Sequence, residues 1–178
     1  MDPVKAARKG REAAFLELFD EHHLPLFRFA YRLTGSLADA EDIVQECFLE
    51  LLRPGCSYDP ARASLRTYLF GVVRNQSLKR RRKNDLAGDD GLDAKHARSP
   101  ESEILRAELE DVVARAVMRL PDRQRAVLIL AHYEQMPLAE IARVMDLEVA
   151  AVKSRLQRAR ANLKETLADY APGLERKP

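Results

Sequence analysis

The spacing of apolar residues constrains this chain more than any other feature. They recur at intervals of three and four from end to end, and nowhere alternate strictly with polar residues over a Val/Ile/Thr-rich run. Intervals of three and four gather side chains on one face of an α-helix, whereas a half-buried strand needs a period of two. The expected fold class is therefore all-α. Glycine and proline at Gly35, Pro54-Gly55, Asp59-Pro60, residues 88–91, Ser99-Pro100, Pro121 and Pro137 mark where the helices should break.

A first amphipathic stretch, residues 11–23, carries Phe15, Leu18 and Phe19 on one face, and His22-His23 reads as its end. A second, 24–34, stops at Gly35, where a left-handed C-terminal cap is wanted. Ser36 with Asp39 three residues on opens a helix to about residue 53 that buries Ala40, Val44, Cys47, Phe48 and Leu51. Ser64 is the expected N-cap of a helix over 65–83. Ser99-Pro100 followed by Glu101 and Glu103 begins another, Pro121 opens the next, and a final pair covers about 138–145 and 149–170.

From residue 84 to 99 the periodicity lapses, and the string Gly88-Asp89-Asp90-Gly91 has the composition of a flexible linker. The expected organisation is two small helical domains, residues 1–86 and 100–172, joined by a flexible linker at 87–99 and followed by a tail at 173–178. At 178 residues the chain has room for two such units.

Net charge is only +2, from 30 Lys and Arg against 28 Asp and Glu, but the signs are segregated. Residues 1–50 hold six basic and ten acidic side chains, and residues 51–86 hold nine and two. On the Ser36 helix, Asp42, Gln45 and Glu46 fall at i, i+3 and i+4, one contiguous face opposite the apolar one. Lys79, Arg80, Arg81, Arg82 and Lys83 form an unbroken cationic run. One or two charges suffice to complement a helix C-terminus, so five in succession point to phosphate.

Residues 138–156 read as a helix-turn-helix: Ile141, Met145, Leu147 and Val152 fall where two short helices must bury against each other, and small Ala142 where they cross closest. Asp146 occupies the turn position that favours glycine, and Asp tolerates the left-handed conformation better than most residues. The second helix carries Lys153, Ser154, Arg155, Gln157, Arg158 and Arg160, side chains suited to guanine edges and phosphates.

Over about residues 11–168 the chain resembles the bacterial RNA polymerase sigma factors of the sigma-70 family, extracytoplasmic-function (ECF) subfamily. The resemblance rests on Ala-Tyr-Arg-Leu-Thr-Gly-Ser over 30–36, Asp-Ala-Glu-Asp-Ile-Val-Gln-Glu-Cys-Phe-Leu over 39–49 and Leu-Arg-Thr-Tyr-Leu-Phe over 65–70 with Arg74-Asn75. Leu120-Pro121, Glu140-Ile141-Ala142 and Val-Lys-Ser-Arg-Leu-Gln-Arg-Ala-Arg over 152–160 complete it. It implies a region 2 bundle and a region 4 helix-turn-helix, acting in the cytoplasm. Asp39, Asp42, Gln45 and Glu46 would then meet the clamp helices of core RNA polymerase. The loop 58–64 and the helix after it would capture an unpaired base of the minus-ten element. Arg62, Arg66, Tyr68, Arg74, Asn75, Lys79 and Arg80 are the candidates there, with Arg81 and Arg82 beside them. Tyr68, where the family usually has Trp, either stacks on a base or faces Phe27 or Phe29 in the core. Lys153, Ser154, Arg155, Arg158 and Arg160 would read the minus-thirty-five element as duplex. The family also implies an anti-sigma factor as partner.

His22, His23, His96 and His132 lack partners at ligand spacing, which argues against a metal site, and no cofactor is expected. No glycine-rich phosphate loop or nucleophile elbow occurs, so neither an enzyme nor a small-molecule substrate is expected. No apolar run approaches the length needed to insert in a membrane. Two cysteines, Cys47 and Cys56, are too few for a disulfide framework. Two alternatives remain: a stand-alone helix-turn-helix regulator of duplex operators, which needs no acidic docking face, and an enzyme with a DNA-binding appendage, which needs a catalytic group within residues 1–86.

Overall fold

Local chemistry sets most helix ends. The computed structural model describes the backbone of residues 3–87 and 102–168 and the side chains of residues 4–83 and 111–168. Every regular element among the described residues is an α-helix: α1 (Pro3–Arg8), α2 (Glu12–Thr34), α3 (Leu37–Leu52), α4 (Leu65–Ala87), α5 (Ser102–Arg119), α6 (Asp122–His132), α7 (Leu138–Met145) and α8 (Val149–Ala168). Gly35 adopts φ 78° and closes α2 with its N–H on the Tyr31 carbonyl. Ser36 caps α3 by accepting from the Asp39 N–H at 3.2 Å, and Ser64 accepts from the Thr67 N–H at 3.1 Å.

Three expectations are corrected. The two helices expected over 11–23 and 24–34 are one, α2, with Pro25 inside it. An interior proline costs about 3 kcal/mol, but Leu18, His22, Leu26, Phe29 and Leu33 form one unbroken buried stripe across it, and that packing outweighs the missing bond. His22-His23 accordingly lies in mid-helix. His22 is buried, and burial lowers its pKa, with Glu21 opposing and Arg66 reinforcing the shift. The polar N-terminus forms α1, which buries Val4, Ala6 and Ala7. Its Arg8 Nε donates to the Leu51 carbonyl at 2.9 Å, satisfying the last turn of α3. Finally, α4 runs to Ala87 rather than 83. Ala87, the expected first residue of the 87–99 linker, is thus the last of α4, and the rest of that linker, the helix start at Ser99-Pro100 and the tail lie outside the described residues.

Helices α2, α3 and α4 pack on one another with α1 against α2, while α6 and α7 pack on α8 with α5 alongside. Phe29 and Phe70 meet at 5.1 Å in the first core. In the second, all six residues 125–130 of α6 are buried, because neighbours enclose that helix on every side. The two units also touch, α4 on α7 and α2 on α5 and α6.

A single side chain organises that junction. Arg125, 1 % exposed, donates from Nε to the Val117 carbonyl at 3.2 Å and from Nη2 to Leu120 at 2.9 Å and to Met118. Its Nη1 donates to the Leu33 carbonyl of α2 at 2.8 Å. These carbonyls lie at helix C-termini, which lack intrahelical donors and carry negative partial charge. Asp122 Oδ1 stands 3.7 Å from Nη2 and 2.8 Å from Arg81 Nη1 of α4. Arg125→Met keeps the volume but strands several buried carbonyls. It is expected to lower stability by about 2–5 kcal/mol, read as a reduced midpoint in urea; an unchanged midpoint would contradict this role.

Candidate functional site

Helix α3 sorts its residues by face. Ala40, Ile43, Val44, Cys47, Phe48 and Leu51 are buried, and Asp42, Gln45, Glu46 and Leu49 are exposed opposite them, with Asp39 half-buried at the first turn. Three of the expected docking residues thus share an open face, and Asp39 lies at its edge. Leu49, 59 % exposed, was not among the expected contact residues. Its signal in the sequence is an apolar residue one turn beyond Gln45, off the buried stripe.

The acids are not isolated. Arg80 crosses from α4, placing Nη1 3.2 Å from Asp39 Oδ1 and 3.2 Å from Asp42 Oδ2, and Nη2 3.5 Å from Glu46 Oε1. Of the cationic run, Arg80 therefore pairs with α3 and Arg81 with Asp122, whereas Lys79, Arg82 and Lys83 are exposed.

The remaining residues expected at the minus-ten element divide. Arg62 is exposed in the loop before α4, where the Asp59 carboxylate accepts from the Ala61 N–H at 2.9 Å and fixes the turn. Tyr68 turns its ring to Tyr58, centroids 5.3 Å apart, and its hydroxyl lies 3.4 Å from Cys56 Sγ and 3.5 Å from Ser57 Oγ. Burial pushes its phenol up to about 12. Asn75 is exposed and accepts from Arg74 Nη1 at 3.0 Å. Arg66 faces the second unit, with Nη2 2.9 Å from the Glu134 carbonyl and 3.8 Å from its carboxylate. Beside it Thr67 Oγ1 donates to Glu140 at 3.3 Å. Burial raises the Glu134 pKa against the opposing charges of Arg32, Arg66 and Arg28.

In the helix-turn-helix, Asp146 takes the left-handed conformation, φ 53° and ψ 56°, and the Leu147 N–H reaches the Ala142 carbonyl at 2.9 Å. Ile141, Ala142, Met145, Val152, Leu156 and Ala159 are buried. That leaves Lys153, Ser154, Gln157, Arg158 and Arg160 exposed on α8. Arg160 Nε lies 3.2 Å from His132 Nε2. Arg155 is half-buried, its pKa lowered by burial and by Arg123 and Arg158. Arg74 is likewise lowered by burial and by Arg123 and Arg155, with Asp146 opposing. Arg123, not among the expected contacts, thus joins cations of both units in one positive region.

Cys47 is buried with Sγ 3.8 Å from the Leu69 carbonyl, and burial pushes its thiol up to about 12, which suppresses the reactive thiolate. Among the described residues no three His, Cys, Asp or Glu side chains converge as metal ligands, and no helix is long and apolar enough to cross a membrane.

Two family models match this chain: sigma-70 region 2 over residues 18–86 and sigma-70 region 4 over residues 110–163. The ECF RNA polymerase sigma factor SigL of Mycobacterium tuberculosis is 34% identical, over 95% of this chain and 97% of its own length. The ECF RNA polymerase sigma factor SigW of Bacillus subtilis is 28% identical, over 93% and 95%. Among solved structures, CnrH in complex with the cytosolic domain of CnrY is similar with TM-score 0.69 and 26% identity, over 94% of this chain and 96% of that one. The sigma factor RpoE of Bartonella quintana, solved with the anti-sigma factor NepR, shares the fold with TM-score 0.66 at 24% identity, over 91% and 98%. With both regions present in order around the acidic α3 and the basic α8, the chain belongs to the ECF sigma factors of the sigma-70 family.

Proposed function

We propose that this sigma factor docks its α3 face on the clamp helices of the polymerase largest subunits, through Asp39, Asp42, Gln45, Glu46 and Leu49. The observation that carries this reading is the sorting of α3, whose polar face stays open while its other face is wholly buried. A rim of carboxylates around one exposed leucine suits a cationic partner with a small apolar contact.

In the same proposal the loop 58–64 and α4 hold a splayed base of the melted minus-ten strand. Tyr58 and Tyr68 offer ring faces, and Arg62, Arg66, Arg74, Asn75, Lys79 and Arg80 serve its edges and phosphates. Helix α8 enters the major groove at the minus-thirty-five element with Lys153, Ser154, Arg155 and Arg158, and Arg160 lies on its flank. Arg66 and Thr67 meet Glu134 and Glu140 in the closed chain, so strand capture requires region 4 to move off α4. An anti-sigma factor is the proposed regulator, a reading supported by the similar RpoE of Bartonella quintana, solved with the anti-sigma factor NepR. The protein performs no catalysis of its own in this proposal: it selects the start site, and the polymerase synthesises RNA in the cytoplasm. A regulator acting alone would leave the open α3 face without a role.

Three outcomes test this. Asp42→Arg, or Gln45→Ala with Glu46→Ala, is expected to weaken binding to purified core polymerase about tenfold or more, with thermal melting little changed; wild-type affinity would refute the docking face. Arg155→Ala and Arg158→Ala should each cost about 1–3 kcal/mol of binding to a duplex selected from a randomised pool, where each makes a bidentate base contact. Full sequence selectivity in both variants would exclude α8 as the reading helix. Duplex binding should also fall steeply as salt rises, because several phosphates are neutralised together; a flat salt response would rule out a phosphate-based interface.

A further inference from the structure

We propose that Arg80 is an internal occupant of the α3 docking face: its guanidinium holds the carboxylates that a cationic surface of the polymerase takes, and docking displaces it toward the DNA strand. The inference rests on the docking reading above and assigns that face a built-in competitor.

Asp39, Asp42 and Glu46 stand at i, i+3 and i+7 on α3, a single stripe, and all three converge on one side chain from another helix. The pairing is selective. Of the five consecutive cations on α4, Arg80 makes these three pairs, while Arg81 is engaged by Asp122 on the opposite unit. Two of the three acids stay accessible from outside: the side chains of Asp42 and Glu46 are 59 % and 57 % exposed, whereas Arg80 at 25 % and Asp39 at 16 % lie deeper. A planar, permanently charged fork presents to the acids the same chemistry that an arginine or lysine of a partner would bring. The pairs to Asp42 and Glu46, open to water on the acid side, are individually weak, so an incoming cationic surface can replace them. Arg80 sits within the basic run proposed to follow the melted strand, so its release adds a phosphate contact there. By linkage, strand binding that draws Arg80 away favours docking to the same degree.

Competitive binding to purified core polymerase and binding of the free chain to a labelled thymidine-rich single-stranded oligonucleotide test both halves. Arg80→Gln should bind core about three- to tenfold more tightly than wild type at low salt, the range expected for removing a few weak ion pairs. Equal or weaker binding overturns the proposal. Asp42→Asn with Glu46→Gln should raise oligonucleotide affinity severalfold in the wild-type background and distinctly less in the Arg80→Gln background. Equal gains in both backgrounds reflect general charge alone and also overturn it. Should Arg80→Gln lose its helical circular dichroism, Arg80→Met, which keeps an apolar stem and removes the charge, decides by the same criterion. The docking reading fails separately, if Asp42→Arg binds core like wild type whatever Arg80→Gln does.

Discussion

The fold depends on how the chain ends its helices where two of them meet without water. The C-terminal turns of α2 and α5 bring backbone carbonyls into the junction between the two units, where solvent cannot serve them. Arg125 supplies the donors for Leu33, Val117, Met118 and Leu120 together. A neutral donor would satisfy one or two of these groups, whereas a guanidinium has five N–H bonds in a fixed fork and a charge matched to both helix dipoles. Burying that charge is costly on its own. Four acceptors and the nearby Asp122 carboxylate offset the cost, and the position of α6 against α2 is set as a result.

Much of this architecture was legible in the sequence because it is encoded locally. Gly35, Ser36, Ser64 and Asp146 act on backbone within four residues of themselves, and each does in the structure what its chemistry requires. The buried face of α3 follows from spacing alone. What escaped depends on distant partners. Pro25 argues for a break by every local rule, and only the continuous stripe from Leu18 to Leu33 overrides it. Arg125 reads as one more surface cation at the start of a helix until the carbonyls it serves are known. Arg80 reads as one of five equivalent charges until α3 is laid beside α4. The open acidic face of α3 was legible as a pattern, but its pairing with Arg80 was not.

The same limit applies to the relation between the two units, which no periodicity encodes. In the closed chain Arg66 pairs with Glu134, Thr67 with Glu140 and Arg81 with Asp122, and the Arg32 guanidinium lies 4.2 Å over the Tyr133 ring. Each contact joins the two halves, and three of them use side chains of α4. The Arg66 Nη2 that donates to Glu134 is not available to a phosphate at the same moment. If α4 follows the melted strand as proposed, closure and strand binding draw on donors of the same helix.

Arg74, Arg123 and Arg155 sharpen that competition. Burial lowers the pKa of Arg74, and the nearby Arg123 and Arg155 of the second unit lower it further, with Asp146 opposing, whereas Arg155 is lowered by burial and by Arg123 and Arg158 of its own unit. The repulsion of Arg74 by Arg123 and Arg155 opposes the closed arrangement, and the Arg125 bond to Leu33 together with the Arg66–Glu134, Thr67–Glu140 and Arg81–Asp122 contacts offsets it. On the proposed function, nucleic acid would change the balance in two ways: its phosphates would screen the repulsion and also compete for the arginines that join the units. The first effect is shared by any counterion, but the second requires a polyanion that reaches α4. Simple salt screens the repulsion and the junction's ion pairs alike, whereas a polyanion engaging α4 as proposed would in addition compete for the junction's donors.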